Sequence, residues 1–349
     1  MPDATESTVR RAASGRPRWK RLVVTVLKWL LFAVVLVIVG RAIVVRFEEV
    51  SWGEVPFRPG WLGAALAAGL AAGGVTFLPY YLLLEGFGHR PPAPPVMTSV
   101  WMAQVGKYLP GKVGSVVGLI WLLRRYGVRV GISAGAVVMV DGLSIILGML
   151  VAVPLTLFDP IQGRVPLAWL WCLILVVVGM VCLHPRLFGG LCNVVLRRLG
   201  QAPLPRLPRV RDLGWPAAAL LGQFLLLGLT LWLLARAVTD VDAADLPLFI
   251  ACSTLATVGG FVSFFAPAGI GVHEGLLILV LEPVIGGTNA AILAVANRFV
   301  KTVAEATLAA AGLALQRFVP SLRPRDAEDD TAPSRSPEAG AADAGAAQE

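Results

Sequence analysis

Apolar runs of about twenty residues recur along most of this chain, joined by short polar segments, and that length constrains the fold more than any other feature. A bilayer core needs roughly 20 apolar residues at about 1.5 Å of rise each, so such runs are transmembrane helices rather than the core of a soluble domain. Runs of this kind cover 22–45, 61–84, 130–157, 165–183, 216–236 and 289–315. Composition agrees: 56% of the 349 residues are apolar, 15% are charged and mean hydropathy is +0.74, too little charge to cover a soluble surface of this size. The net charge of +8 sits beside the apolar runs, where membrane orientation and anionic headgroups account for it better than nucleic acid does. Cys172, Cys182, Cys192 and Cys252 have no metal-ligand or disulfide spacing and read as small apolar residues. The basic stretch 1–21 precedes an apolar run too long for a signal-peptide core, so 22–45 is expected to be a retained span. Residues 319–349 are acidic and Ala/Pro-rich, and read as a disordered cytoplasmic tail.

Two further apolar regions, 95–124 and 247–283, are interrupted at "YLPGKVG" and "FAPAGIGVHEG". Proline removes a backbone donor and glycine favours non-helical backbone, so each region reads as two half-helices around an unwound turn. If 95–124 crossed the bilayer, the arginines of "RRYGVRV" would lie outside, against the positive-inside bias; if it dips in and returns, they stay inside. The Arg-rich loop 184–215 then lies inside and the acidic joint 239–245 outside, with both termini cytoplasmic. The expected fold is an all-α polytopic membrane protein of about six full spans plus two broken re-entrant elements. Its halves, roughly 22–157 and 165–318 of a 22–318 transmembrane domain, form inverted-topology repeats, an arrangement whose broken helices meet near the midplane.

The stretch "GKYLPGKV" (106–113) is one residue from a nucleotide-binding P-loop, with Val113 where the magnesium-binding hydroxyl belongs. A P-loop also requires a preceding strand in a soluble α/β domain, and apolar membrane sequence surrounds this one. About 14 helical residues from Pro95 carry the chain roughly 20 Å inward, which places the turn near mid-membrane. There Lys107 and Lys112 bracket the break, Tyr108, Pro110, Gly111, Gly114 and Ser115 form it, and Gly111, Gly114 and Gly118 allow close backbone approach. Two ammonium groups beside a helix N-terminus make an anion site, most naturally for phosphate. The bland alternative is that the lysines snorkel and the glycines only permit packing.

Charge inside a span is costly and marks candidate functional residues. Arg298, Lys301 and Glu305 share one helical face, with Lys301 and Glu305 either sealing a helix contact as an i,i+4 pair or coupling to headgroup or proton. Pro267, Gly269, Gly271, His273 and Glu274 make up the second break, and Glu274 is placed to meet a lysine of the first break if the turns touch. Asp141, mid-span, is expected to face the bundle interior. Residues 185–213 mix Leu and Val with six arginines and read either as an interfacial amphipathic helix or as an orienting basic loop.

"GKYLPGKVGSVVGLIWLLRRYGV" and "FFAPAGIGVHEGLLILVL", in this order, resemble the flippase-like transmembrane family, which includes the membrane region of lysylphosphatidylglycerol synthases. The resemblance extends over most of residues 20–318 and implies a protein of the cell membrane that moves a lipid or lipid-linked headgroup between leaflets. Relatives commonly carry Arg-Glu where this chain has His273-Glu274, and Glu-Arg where it has "VMVDGL", so Asp141 keeps an acid without the arginine. Only the tail follows the last span, so the synthase's soluble transferase activity is not expected here. The expected function is translocation of an anionic phospholipid or lipid-linked headgroup. The alternative is a non-catalytic membrane subunit, or an enzyme component, of aminoacyl-lipid or lipid-linked glycan synthesis, bound to a biosynthetic enzyme partner. Neither catalytic residues, a cofactor, a metal nor nucleic acid is called for, and the oligomeric state is open.

Overall fold

The computed structural model describes residues 58–108, 113–157, 168–198, 200–263, 269–319 and 322. The basic N-terminus, the expected span 22–45 and the tail past residue 322 lie outside the described residues, as do Pro110, Gly111, Lys112 and Pro267. Among the described residues the fold is all helical, without a strand. Its helices are α1 Pro59–Gly74, α2 Phe77–Gly86, α3 Ala93–Ala103, α4 Val113–Arg124, α5 Val130–Ala152, α6 Ala168–Leu183, α7 Pro185–Arg198, α8 Gly214–Val238, α9 Leu246–Val262, α10 Val272–Ile285 and α11 Gly287–Phe318.

Four stretches are long and apolar enough to cross a membrane: Pro59–Gly86, Val130–Leu155, Val210–Val238 and Ala243–Val262. Outside the core, the helices expose a band of large apolar side chains, including Trp121, Leu173, Met180, Leu225, Leu279 and Phe299, far beyond what a soluble monomer shows. The protein is a multi-pass membrane protein. The run expected at 61–84 is jointed between α1 and α2. There the Thr76 hydroxyl donates back to the Ala72 carbonyl (3.1 Å), and the Gly74 carbonyl accepts from Trp101 Nε1 (3.2 Å). The run at 289–315 lies within α11, whose 32 residues reach about 48 Å but carry too many polar groups to meet a simple hydropathy test. Residues 185–198 form a helix bent 63° from α6, and residues 201–209 between it and the next short turn are not helical.

Both broken regions are broken where the sequence places the breaks. A short 3-10 turn, Gln104–Tyr108, follows α3, and α4 then packs back on α3. In the second region α10 packs back on α9, with Leu276 against Gly259 and His273 against Gly260. Its first limb is longer than a half-helix, because a 3-10 turn at Ala243–Asp245 extends it to 20 residues.

Each hairpin is closed by a glycine pressed on a glycine. A Cβ on Gly106 would lie 2.6 Å from the Gly114 carbonyl carbon, and one on Gly269 would lie 2.6 Å from Gly260 Cα. Gly269 and Gly271 also have positive φ (67° and 88°), which other residues reach at a cost. Gly118, by contrast, has open space around it, so its expected role in close packing is absent.

The joints sort onto two ends of the bundle. At one end the Arg58 amide donates to the Ala237 carbonyl (3.1 Å), its guanidinium meets Asp240 (2.7 Å), and Trp61 packs edge-on to Trp232. At the other, Gly86 lies on Pro208, Gly131 on Leu196, and the Tyr126 hydroxyl donates to the Leu322 carbonyl (2.8 Å). Helix α11 runs between them, with Ile292 clustered with Trp61 and Ala237 at the first end and Gln316 donating to Thr98 (3.0 Å) at the second.

Gly269→Ala is expected to destabilise the purified protein by about 1–3 kcal/mol through backbone strain and overpacking. Gly275→Ala, where a Cβ meets nothing within 4 Å, should leave the thermal midpoint in place. Equal midpoints for the two variants would contradict the glycine closure.

Candidate functional site

The two hairpins and the spine α11 enclose, with α1, α2, α5, α8 and α9, a cavity of about 330 Å³. Of the residues singled out from sequence, Lys107, Ser115, Asp141, His273, Lys301 and Glu305 line it. Gly114, Gly269 and Gly271 shape the turns behind it, and Glu274 and Arg298 form an ion pair outside its lining. Of Tyr108 and Val113 only the backbone is described.

Why the charges gather here follows from the helical repeat. Arg298, Lys301 and Glu305 stand three, four and seven residues apart on α11, so they project along one face, and that face looks onto both hairpins. The Glu305 carboxylate pairs with the Lys107 ammonium at the end of the first hairpin's 3-10 turn. Lys301, one turn earlier, therefore does not take Glu305 in the i,i+4 pair that the spacing allows. A carboxylate in a low-dielectric interior goes to the cation that also closes a tertiary contact, since two desolvated charges left apart would both be uncompensated.

The second hairpin is tied to the same helix one turn earlier still. Glu274, only 5% exposed, accepts from the Gly271 amide (2.6 Å) and from Arg298 Nη1 (3.3 Å). Its partner is thus an arginine of α11 and not a lysine of the first break, as the sequence reading had placed it. The amide accounts for part of this: Glu274 is the third helical residue of α10, where a carboxylate caps the free N–H groups of its own helix start. Beside it the Asn297 amide donates to His273 Nε2 (3.2 Å), and the His273 ring also bonds the Ala256 backbone, so the imidazole braces α9, α10 and α11 together.

Lys301 is the exception. Its side chain lines the cavity, and its ammonium makes neither a hydrogen bond nor an ion pair among the described residues. A cation buried inside the bundle is costly unless something neutralises it, and a cavity beside it leaves room for an anion to do so.

The rest of the lining was not anticipated. Tyr80, Gln104, Ser144, Gln223, Ser253 and Thr257 all face the cavity. The signal was present in part: single glutamines in runs such as "LLGQFLLL" are as out of place in lipid as a charge, but only ionisable groups were weighed. Ser and Thr carried no such signal, because they bond to their own helix without any tertiary role. The nucleotide-loop spelling at 106–113 has no structural counterpart, since a helix and a 3-10 turn precede α4 where a strand would be needed.

The sequence profile of the Lysylphosphatidylglycerol synthase TM region family matches residues 22–309, which include both hairpins and most of α11. The chain belongs to that family. Among curated proteins no match is found.

Because Lys107 and Glu305 neutralise each other, losing one should harm the fold more than losing both. Lys107→Met and Glu305→Leu are each expected to cost about 1–3 kcal/mol by removing the direct counter-charge of the other, and the double variant less than the sum of the two. Thermal unfolding of the four proteins in detergent measures this. Additive losses would contradict a direct pairing.

Proposed function

We propose that this member of the Lysylphosphatidylglycerol synthase TM region family is a lipid translocase, carrying a phosphate-bearing lipid headgroup between leaflets without chemical change. The observation that carries this reading is Lys301, whose ammonium has no hydrogen-bond or ion-pair partner among the described residues and faces a cavity among membrane-spanning helices. A phosphate ester is the anion that a lipid brings to that depth, and an ammonium donates to it in a charge-assisted bond. Lys107, held by Glu305 on the same wall, is a second donor that an incoming phosphate can recruit.

In the proposed topology the chain has six full spans and two re-entrant hairpins in inverted repeats, roughly 22–157 and 165–318. The glycine-on-glycine closure of both hairpins supports the repeat, since the same device recurs at matching places in the two halves. The bundle end that carries Arg124, Arg125, Arg129, Arg197 and Arg198 is assigned to the cytoplasm of a cell membrane, together with both termini. The end with Asp240, Asp242 and Asp245 is assigned to the outside. Alternating exposure then needs only that the hairpins move against α11, to which ion pairs and hydrogen bonds tie them.

Lys301→Gln is expected to slow translocation of a fluorescent phosphatidylglycerol in proteoliposomes by about ten- to hundredfold, the worth of a hydrogen bond to a charged group. Expression and insertion should be unimpaired, because removing a charge from the membrane interior favours insertion. Headgroup accessibility to a membrane-impermeant quencher measures the rate. Wild-type translocation by the Gln variant would refute the assignment.

A further inference from the structure

The cavity has a second set of groups that a phosphate alone does not use. On the wall formed by α5, α8, α9 and the start of the first hairpin's turn lie the Gln104 amide, the hydroxyls of Ser144, Ser253 and Thr257, and the carbonyl oxygen of Gln223, whose amide nitrogen donates to Thr76 (2.8 Å). None of these five groups has a hydrogen-bond partner among the described residues. Ser253 is 2% exposed and the Thr257 hydroxyl is wholly buried, so neither is an ordinary surface hydroxyl.

Helical serines and threonines commonly bond the carbonyl four residues back, as Thr230 and Thr254 do here at 2.8 and 2.7 Å. Ser144, Ser253 and Thr257 do not. Buried polar groups are normally satisfied, and leaving one without a partner costs about 1–3 kcal/mol. Of the five, the Thr257 hydroxyl is wholly buried without a partner and the other four open onto the cavity; converging there with the Asp141 carboxylate on the same lining, they mark a place where hydrogen bonds are completed by something that enters.

From the chemistry of that wall we infer that the headgroup carries a polyhydroxylated group, a cyclitol or a single sugar residue, beyond its phosphate. The inference rests on the phosphate reading above for the charged wall and adds the neutral one. Hydroxyls and amides that both donate and accept, with a carboxylate acceptor, match a ring whose every substituent is itself a donor and an acceptor. An alkyl or simple diacyl phosphate has no hydroxyl substituents to complete these hydrogen bonds. The volume, about 330 Å³, is at the small end for a ligand cavity, which fits a phosphate and one ring and excludes an oligosaccharide.

The test is calorimetric binding of three short-chain lipids to the purified full-length protein: phosphatidylinositol (phosphate and polyol), phosphatidic acid (phosphate alone) and a galactosyl diacylglycerol (polyol alone). Phosphatidylinositol is expected to bind at least about tenfold more tightly than phosphatidic acid, the worth of one or two completed hydrogen bonds. Ser253→Ala/Thr257→Val, which removes two unpaired hydroxyls at nearly constant shape and so spares the fold, should erase that preference and leave phosphatidic acid unchanged. Equal affinity for phosphatidylinositol and phosphatidic acid overturns the polyol inference and leaves the phosphate reading standing. Galactosyl diacylglycerol binding as tightly as phosphatidylinositol upholds the polyol wall and overturns the phosphate reading. Binding of none of the three overturns both.

Discussion

A charge inside a bilayer must find a counter-charge or water, and this requirement organises the centre of the molecule. Three ionisable groups on one face of α11 cannot all be satisfied by their own helix. Two of them reach outward, Arg298 to Glu274 in the second hairpin and Glu305 to Lys107 in the first. The ion pairs thereby fix where the unwound turns lie, and the turns in turn bound a cavity that a bundle of unbroken helices would fill with side chains. Apolar packing cannot supply this registration, because lipid solvates a leucine about as well as a neighbouring helix does.

The glycines do the complementary work. A broken helical hairpin must bring two backbones together at its closed end, and Gly106 on Gly114 and Gly260 on Gly269 are the contacts that allow it. Gly260 also lies against the His273 side chain, so the closure of the second hairpin and the brace from Asn297 are parts of one assembly. The site is therefore built on two hairpins that are each tied by polar contacts to a common helix, Lys107–Glu305 and Thr98–Gln316 for the first and Glu274–Arg298 and His273–Asn297 for the second.

Much of the architecture was legible in the sequence because its signals are physical and local. Four of the apolar stretches and the Pro/Gly breaks needed only hydropathy and backbone chemistry, and the breaks fell where "YLPGKVG" and "FAPAGIGVHEG" put them. The convergence of Lys107, Asp141, His273, Lys301 and Glu305 on one cavity followed from the cost of charge in lipid. Partner choice was not legible. The spacing allowed Lys301–Glu305, and the tertiary fold gave Glu305 to Lys107 instead, while Glu274 went to Arg298 rather than to a lysine of the first turn. Such choices depend on which turn abuts which helix, information spread over residues nearly 200 positions apart. The neutral wall escaped for a different reason: Ser253 and Thr257 differ from Thr254 only in what they fail to bond, and nothing local in the sequence marks that difference.

The central claim is that Lys301 gives an open cavity inside the bundle a preference for anions. Ser253→Cys, in a background without the four native cysteines, places a thiol of nearly unchanged size on that lining. The relative rates at which small anionic and cationic methanethiosulfonates modify it test the claim most directly. The account predicts reaction with both reagents, faster with the anionic one, and loss of that difference when Lys301 is also changed to Gln. Reaction with lipid-soluble reagents alone, or faster reaction with the cation, would contradict it.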